Sequence, residues 1–230
     1  GATINGSNIQ SSSGIDATLV KITAPDVHIE GFEIVGGDGV GTGISVQIDK
    51  ADSGTTIKDN EIKNIAGQGG GDKKESFGVL AWGTTDTLDN ITITGNTIEN
   101  IGSDSNNAQG FGLFLEELAD GTDGAVIHDN EIQNVNTATI DSDTYPGVGI
   151  GILPELTDPT ASTSDDGIVS DTANADIRNN TVENNPVGIS VAGNVSQLTV
   201  TQNDLANNDL SLLTKGRDPS SYEGSIGVIN

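Results

Sequence analysis

Apolar and polar positions recur along this chain in one arrangement. A branched aliphatic residue is followed five positions later by a second apolar one, at Ile29/Ile34, Ile57/Ile62, Ile93/Ile98, Ile127/Ile132, Ile177/Val182 and Val200/Leu205. Two residues before the second apolar position stands Asn60, Asn96, Asn130, Asn180 or Asn203, and a further Asn follows four positions on, at Asn64, Asn100, Asn134, Asn184 and Asn207. The Ile29 copy carries Phe32 and Gly36 instead, and Ala2–Gly6 reads as a degenerate earlier copy. After a variable gap comes an alternating segment: GISVQI from Gly43, GVLAW from Gly78, GLFLE from Gly112, GIGIL from Gly149 and GISV from Gly188, with Leu210 opening a last one. Alternation of this kind is the period of a β-strand. No stretch carries the 3.6 period of an amphipathic helix; FLEELADG after Gly112 reaches one helical turn at most.

The first apolar positions are spaced 28, 36, 34, 50 and 23 residues apart, and the shortest spacing sets the size of one unit. A unit this small cannot bury its aliphatic residues alone, whereas stacked copies form a continuous core. Parallel strands about 4.8 Å apart would make seven units rise roughly 35 Å. Asn tolerates left-handed backbone and bonds its own main chain at corners, and stacked equivalents form amide ladders. The repeat Asn residues are therefore expected at corners rather than in catalysis. The expectation is an all-β, single-stranded parallel β-helix (a β-solenoid) of about seven turns with inserted loops, residues 1–230 forming one domain. An ordinary β-sandwich competes, but its strands need not repeat one motif.

The NEIKNI, NTIENI and NEIQNV segments, with their following Gly-Ile-type strands, resemble the right-handed parallel β-helix repeats of the pectin-lyase-like superfamily. The likeness covers nearly the whole chain; it implies the handedness, which spacing does not give. It also implies polysaccharide lyases and hydrolases as relatives. The Gly-His-Gly and Arg-Ile-Lys elements of the polygalacturonase branch are absent, and Asp165–Asp166 is the only Asp-Asp pair. A lyase of this fold would pair calcium-binding acids with a basic residue, for which Lys73 and Lys74 are the nearest by sequence to the face described next.

Extra residues fall at one corner, in Ala66–Ser76, Gly102–Gly110 and Asn136–Gly147, and after the Gly-Ile strand in Pro154–Ala175. Loops on a rigid scaffold are where binding concentrates, although surface loops also lengthen at little cost. With Val79, Leu113, Ile150 and Ile189 inward, the outward rows read Ser45, Leu80, Phe114, Gly151, Ser190 and Gln47, Trp82, Glu116, Leu153, Ala192. Leu80, Trp82, Phe114 and Leu153 thus form an apolar patch between the two loop groups, with Glu116, Glu117, Asp141 and Asp143 as the nearest acids. Such a surface suits a sugar ring, whose apolar face stacks while carboxylates bond its hydroxyls. Alternatively the loops close over it with Tyr145 as a plug, since large apolar patches seldom stay bare.

Composition narrows the partners. Asp and Glu total 34 against nine Lys and Arg, a formal net charge of −25. Nucleic acid and anionic membranes both require clustered cations, so neither is expected as a partner. No run of about 18 apolar residues predicts a membrane span. No signal peptide is visible, and the start at Gly1 reads as a processed protein or excised piece. Charge of this magnitude destabilises a compact state unless salt screens it, so the chain reads as halophilic, with a calcium-loaded extracellular protein as the other reading. The chain has no Cys, which excludes disulfides, and two His, His28 and His128, expected as plain surface residues. Calcium is the one cofactor considered, at Asp104 or at Asp141 and Asp143, neither in an EF-hand pattern. Sequons at Asn5, Asn90, Asn179 and Asn194 permit glycosylation.

The function expected is a secreted or cell-surface scaffold that recognises a surface glycan, a polysaccharide or another surface protein. A polysaccharide lyase or glycosidase is the alternative. A structural fibre segment is the third, because the ends of such a stack expose strand edges and favour end-to-end or lateral self-association.

Overall fold

The computed structural model describes residues 1–9, 17–48, 54–67, 74–83, 89–103, 108–116, 124–140, 143–153, 174–192 and 197–215. Among them the chain is all-β, with no helix, and none long and apolar enough to cross a membrane. In chain order the strands are β1 (Thr3–Asn5), β2 (Ala17–Ile22), β3 (His28–Glu30), β4 (Glu33–Val35), β5 (Val40–Ile48), β6 (Thr56–Lys58) and β7 (Glu61–Ile65). Then come β8 (Lys74–Gly83), β9 (Ile91–Thr94), β10 (Thr97–Ile101), β11 (Ala108–Glu116), β12 (Ala125–His128), β13 (Glu131–Val135), β14 (Ala138–Ile140) and β15 (Asp143–Tyr145). The last are β16 (Val148–Leu153), β17 (Asn174–Arg178), β18 (Thr181–Glu183), β19 (Val187–Ala192), β20 (Gln197–Thr201) and β21 (Leu210–Lys215).

All but β14 and β15, which pair antiparallel with each other, form three parallel sheets, in the orders β1-β4-β7-β10-β13-β18, β2-β5-β8-β11-β16-β19-β21 and β20-β17-β12-β9-β6-β3. The first apolar positions make the third sheet: Ile29, Ile57, Ile93, Ile127, Ile177 and Val200 pair in direct register. The second apolar positions Ile34, Ile62, Ile98, Ile132 and Val182 do the same in the first sheet. The Gly-Ile segments form the second sheet. Ala2–Gly6 enters only the first sheet, where Ile4 pairs with Ile34, so it supplies a second apolar position and no first one. One core cluster joins the inner faces of all three sheets, with Ile57, Ile93, Ile98, Leu113, Ile132 and Ile150 wholly buried.

Corners are set by the Asn residues in two different ways. Asn64, Asn100, Asn134, Asn184 and Asn207 hold φ of 57–58°. This is the left-handed region, where Asn is among the few tolerated side chains. The other series is buried and forms a ladder. Asn60, Asn96, Asn130 and Asn180 each donate from Nδ2 to Oδ1 of the next Asn at 2.9–3.0 Å. The same Oδ1 accepts the preceding Asn's backbone N–H, also at 2.9–3.0 Å. A shorter ladder links Asn185 to Asn208, whose Oδ1 accepts the Asn185 N–H at 3.0 Å.

A column of glycines lets the second sheet bend. A Cβ on Gly43, Gly78, Gly112 or Gly149 would stand 2.5–2.7 Å from the carbonyl oxygen of the next glycine in the series. On Gly78 it would also stand 2.7 Å from Ile98 Cγ2, in the core. Gly78 and Val79 therefore both face inward, and the period of two breaks at each glycine.

Charge pairs decorate the outer faces. Lys63 on β7 pairs with Glu33 at 2.9 Å and with Glu61. Hydrogen bonds from Lys63 first and the Thr3 hydroxyl second hold the Glu33 carboxyl below its ordinary value of 4.5. The contribution of this carboxylate is therefore complete above that value and disappears as pH falls through the depressed one. Glu33→Gln should lose less stability than the parent between neutral pH and the acid side of 4.5 in paired pH-dependent melts. Identical acid limbs would refute this.

Candidate functional site

The outer face of the second sheet follows from register. Leu113 and Leu115 are core residues, so Phe114 and Glu116 between and beside them point away from the core. Phe114 pairs with Leu80 and Glu116 with Trp82 on the neighbouring strand β8. On the other side Phe114 pairs with Gly151, and Glu116 with Leu153 on β16. Trp82, Phe114 and Glu116 are half-buried, while Leu80 retains only 6% of its surface. Ser45, which pairs with Leu80 from β5, is 1% exposed with an unpartnered hydroxyl, so this outer face is not bare near β5.

Two further aromatic rings belong to the same face. Phe111 and Phe114 have ring centroids 4.7 Å apart, Phe77 and Phe111 5.2 Å, and Phe77 and Phe114 5.7 Å. The tilted and near-parallel arrangements within 7 Å are those aromatic pairs favour. With Val148, Val187, Leu213 and these rings the face carries an apolar cluster separate from the core. Strict alternation misses Phe77 and Phe111, because the glycine that follows each takes an inward position next to another inward residue. The signal was present in the residue preceding each glycine: Thr42, Phe77, Phe111, Val148 and Val187 pair in one row.

The remaining expected site residues are placed as follows. Tyr145 is half-buried at the end of β15 and pairs with Ala138 in an antiparallel hairpin, β14–β15, that the sequence pattern did not signal. Gln109 on β11 donates to the carbonyl of Pro146 at 2.7 Å, tying this hairpin's end to the second sheet. Asp143 opens β15, with its side chain outside the described residues. Glu117, Asp104, Asp141 and Lys73 lie outside the described residues altogether. Among the described residues no three His, Asp or Glu side chains converge as a metal cluster would require.

His128 differs from the plain surface residue expected. Its Nδ1 lies 2.7 Å from Asp129 Oδ2 and 3.2 Å from Thr94 Oγ1, and it pairs in register with Thr94 and Arg178. Both neighbours contact the same ring nitrogen, so the cluster is not a relay from hydroxyl through imidazole to carboxylate. Arg178 pairs with Asp176 on the outer side of the third sheet, a different sheet from Trp82. His28 is exposed and pairs with Thr56. No protein-family model, curated protein or solved structure matches this chain.

Proposed function

We propose that the chain is a single-stranded parallel β-helix of the pectin-lyase-like kind, acting as a secreted or cell-surface recognition scaffold for a glycan in a salt-rich environment. The wound reading is supported by the sheet orders: successive strands visit the three sheets in turn, and equivalent residues pair one repeat apart. The observation that carries the functional reading is the Trp82–Glu116 pair beside Phe114, aromatic surface and carboxylate adjacent on one outer face. A sugar ring stacks on the first and donates hydroxyls to the second.

Trp82 is the only Trp in the chain, so its emission reports directly on this face. Titration with oligosaccharides drawn from a glycan array should shift that emission. Trp82→Ala should weaken binding about tenfold, the 1.4 kcal/mol scale of one aromatic stacking contact. A glycan bound equally well by Trp82→Ala, or an array with no binding at all, would end the reading.

The salt reading rests on the charge of −25. Screening shortens to about 3 Å at 1 M salt, which removes most repulsion between exposed carboxylates. The melting temperature should therefore climb steadily with KCl or NaCl into the molar range. Greatest stability in dilute buffer would overturn it.

A further inference from the structure

A cleft of about 390 Å³ lies at the corner between the first and second sheets, lined by Gly37, Asp38, Asn64, Ala66, Asn100, Gly102, Ser103 and Asn136. Its volume falls within the range of about 300–1,000 Å³ typical of small-molecule sites. It forms because the corner residues of four successive repeats stand in a column. Asn64 and Asn100 hold the left-handed corner at φ 58° and 57°, and Asn136 follows the next strand of the same sheet, β13.

The polar groups here are only partly used. Asn100 Nδ2 reaches Asn64 Oδ1 at 3.4 Å, long for a hydrogen bond. Asn136 Nδ2 donates to the Gly102 carbonyl at 3.0 Å. Asn64 Nδ2, Asn100 Oδ1, Asn136 Oδ1 and the Asp38 carboxylate have no partner among the described residues. In the buried ladder a few residues away every amide is spent on its neighbours; at this corner Asn64 and Asn100 are exposed, and among the described residues their amides share one long contact.

We propose that this corner cleft binds a neutral sugar residue through its hydroxyls. A hydroxyl both donates and accepts, so neighbouring hydroxyls match the oxygen and nitrogen of an amide, and a carboxylate accepts from a further one. Among the described residues the lining contains one carboxylate and no Lys or Arg, so a uronic acid meets repulsion from it. A bound cation fits poorly, because no convergence of three acidic or imidazole groups occurs among the described residues. The proposal extends the glycan reading to a second site that does not include Trp82, and the two can fail separately.

The test uses free glucose, galactose, mannose and N-acetylglucosamine against glucuronate and galacturonate, followed by amide shifts in two-dimensional NMR. Neutral sugars should shift the side-chain amides of Asn64, Asn100 and Asn136, independently of ionic strength because the ligand is uncharged. The paired variant Asn64→Gly/Asn100→Gly removes both amides yet keeps a residue at ease with positive φ, so it should fold and lose about tenfold or more in affinity. Asp38→Asn should narrow the gap between neutral and uronic sugars. Absence of shifts at these amides with every neutral sugar would overturn the proposal, as would tighter binding of uronates than of neutral sugars. Binding abolished by Trp82→Ala and untouched by Asn64→Gly/Asn100→Gly would also overturn it while leaving the glycan reading intact. The converse pattern would remove the Trp82 face and keep the corner.

Discussion

Asn130→Ala should lower the melting temperature by about 8–16 °C. Asn130 is 2% exposed. Its Oδ1 accepts from both the backbone N–H and Nδ2 of Asn96 at 3.0 Å. Its Nδ2 donates to the Ile93 carbonyl at 2.9 Å and to Asn180 Oδ1 at 2.9 Å. Alanine keeps the backbone path but strands the Asn96 N–H where water cannot reach it, and takes one donor from the Ile93 carbonyl and one from Asn180 Oδ1. The orphan costs about 1–3 kcal/mol and each lost bond about 1 kcal/mol, so the sum is about 4 kcal/mol. A domain of this size shifts by about 2–4 °C per kcal/mol. The comparison variant is Asn134→Gly, four residues along at an exposed corner with φ 57°. Glycine satisfies that backbone, so its effect should stay within about 0.5 kcal/mol. Equal losses in the two variants, read from thermal or urea melts, would show that the ladder has no special weight.

Gly112→Val should cost more than about 3 kcal/mol, at or beyond the upper end of ordinary overpacking. The first added carbon would lie 2.6 Å from the Gly149 carbonyl oxygen and 2.6 Å from Ile132 Cγ2. The oxygen belongs to the next strand, and strands about 4.8 Å apart cannot separate at one point without stretching their hydrogen bonds. The control is Gly151→Ala on the outer face of β16. Its added carbon would lie 2.6 Å from Phe114 Cδ2, in a half-buried side chain rather than in the backbone of the next strand. That variant should lose clearly less stability than Gly112→Val and should alter the emission of Trp82, whose strand β8 flanks Phe114. Similar destabilisation by the two substitutions would mean that the glycine column does not control strand approach.

These contrasts mark how far the repeat pattern was informative. Ile57, Ile93 and Ile127 were expected as vertical neighbours, and they pair in direct register. Spacing alone could carry this because an aliphatic side chain has one favourable destination, the core, and equivalent positions must reach it together. The Asn residues could be assigned to corners, and the laddered series was foreseen as a possibility of stacking. Which series would ladder and which would take positive φ was decided by burial: Asn60, Asn96, Asn130 and Asn180 have no water available and must bond each other.

The outer face was legible only in part. Leu80, Trp82, Phe114 and Glu116 fall on adjacent strands because period two holds after each glycine. Phe77 and Phe111 escaped because two successive residues turn inward at Gly78 and Gly112. Period counting has no way to register a bend that depends on a carbonyl from another repeat. The β14–β15 hairpin and the corner cleft escaped for different reasons: the hairpin lies within one insertion that carries no periodic apolar signal, and the cleft assembles from corner residues of separate repeats.

The amino-acid sequence by itself determined the parallel all-β character, the identity of the core residues and the acidic exterior. Each depends on a preference that a residue type carries wherever it sits: burial of aliphatic groups, tolerance of left-handed backbone, hydration of carboxylates. Tertiary structure alone decided which outward side chains gather, which amides remain open and how tightly the strands approach at the glycines. Those properties arise from distances between separate repeats, and such distances exist only once the chain has folded.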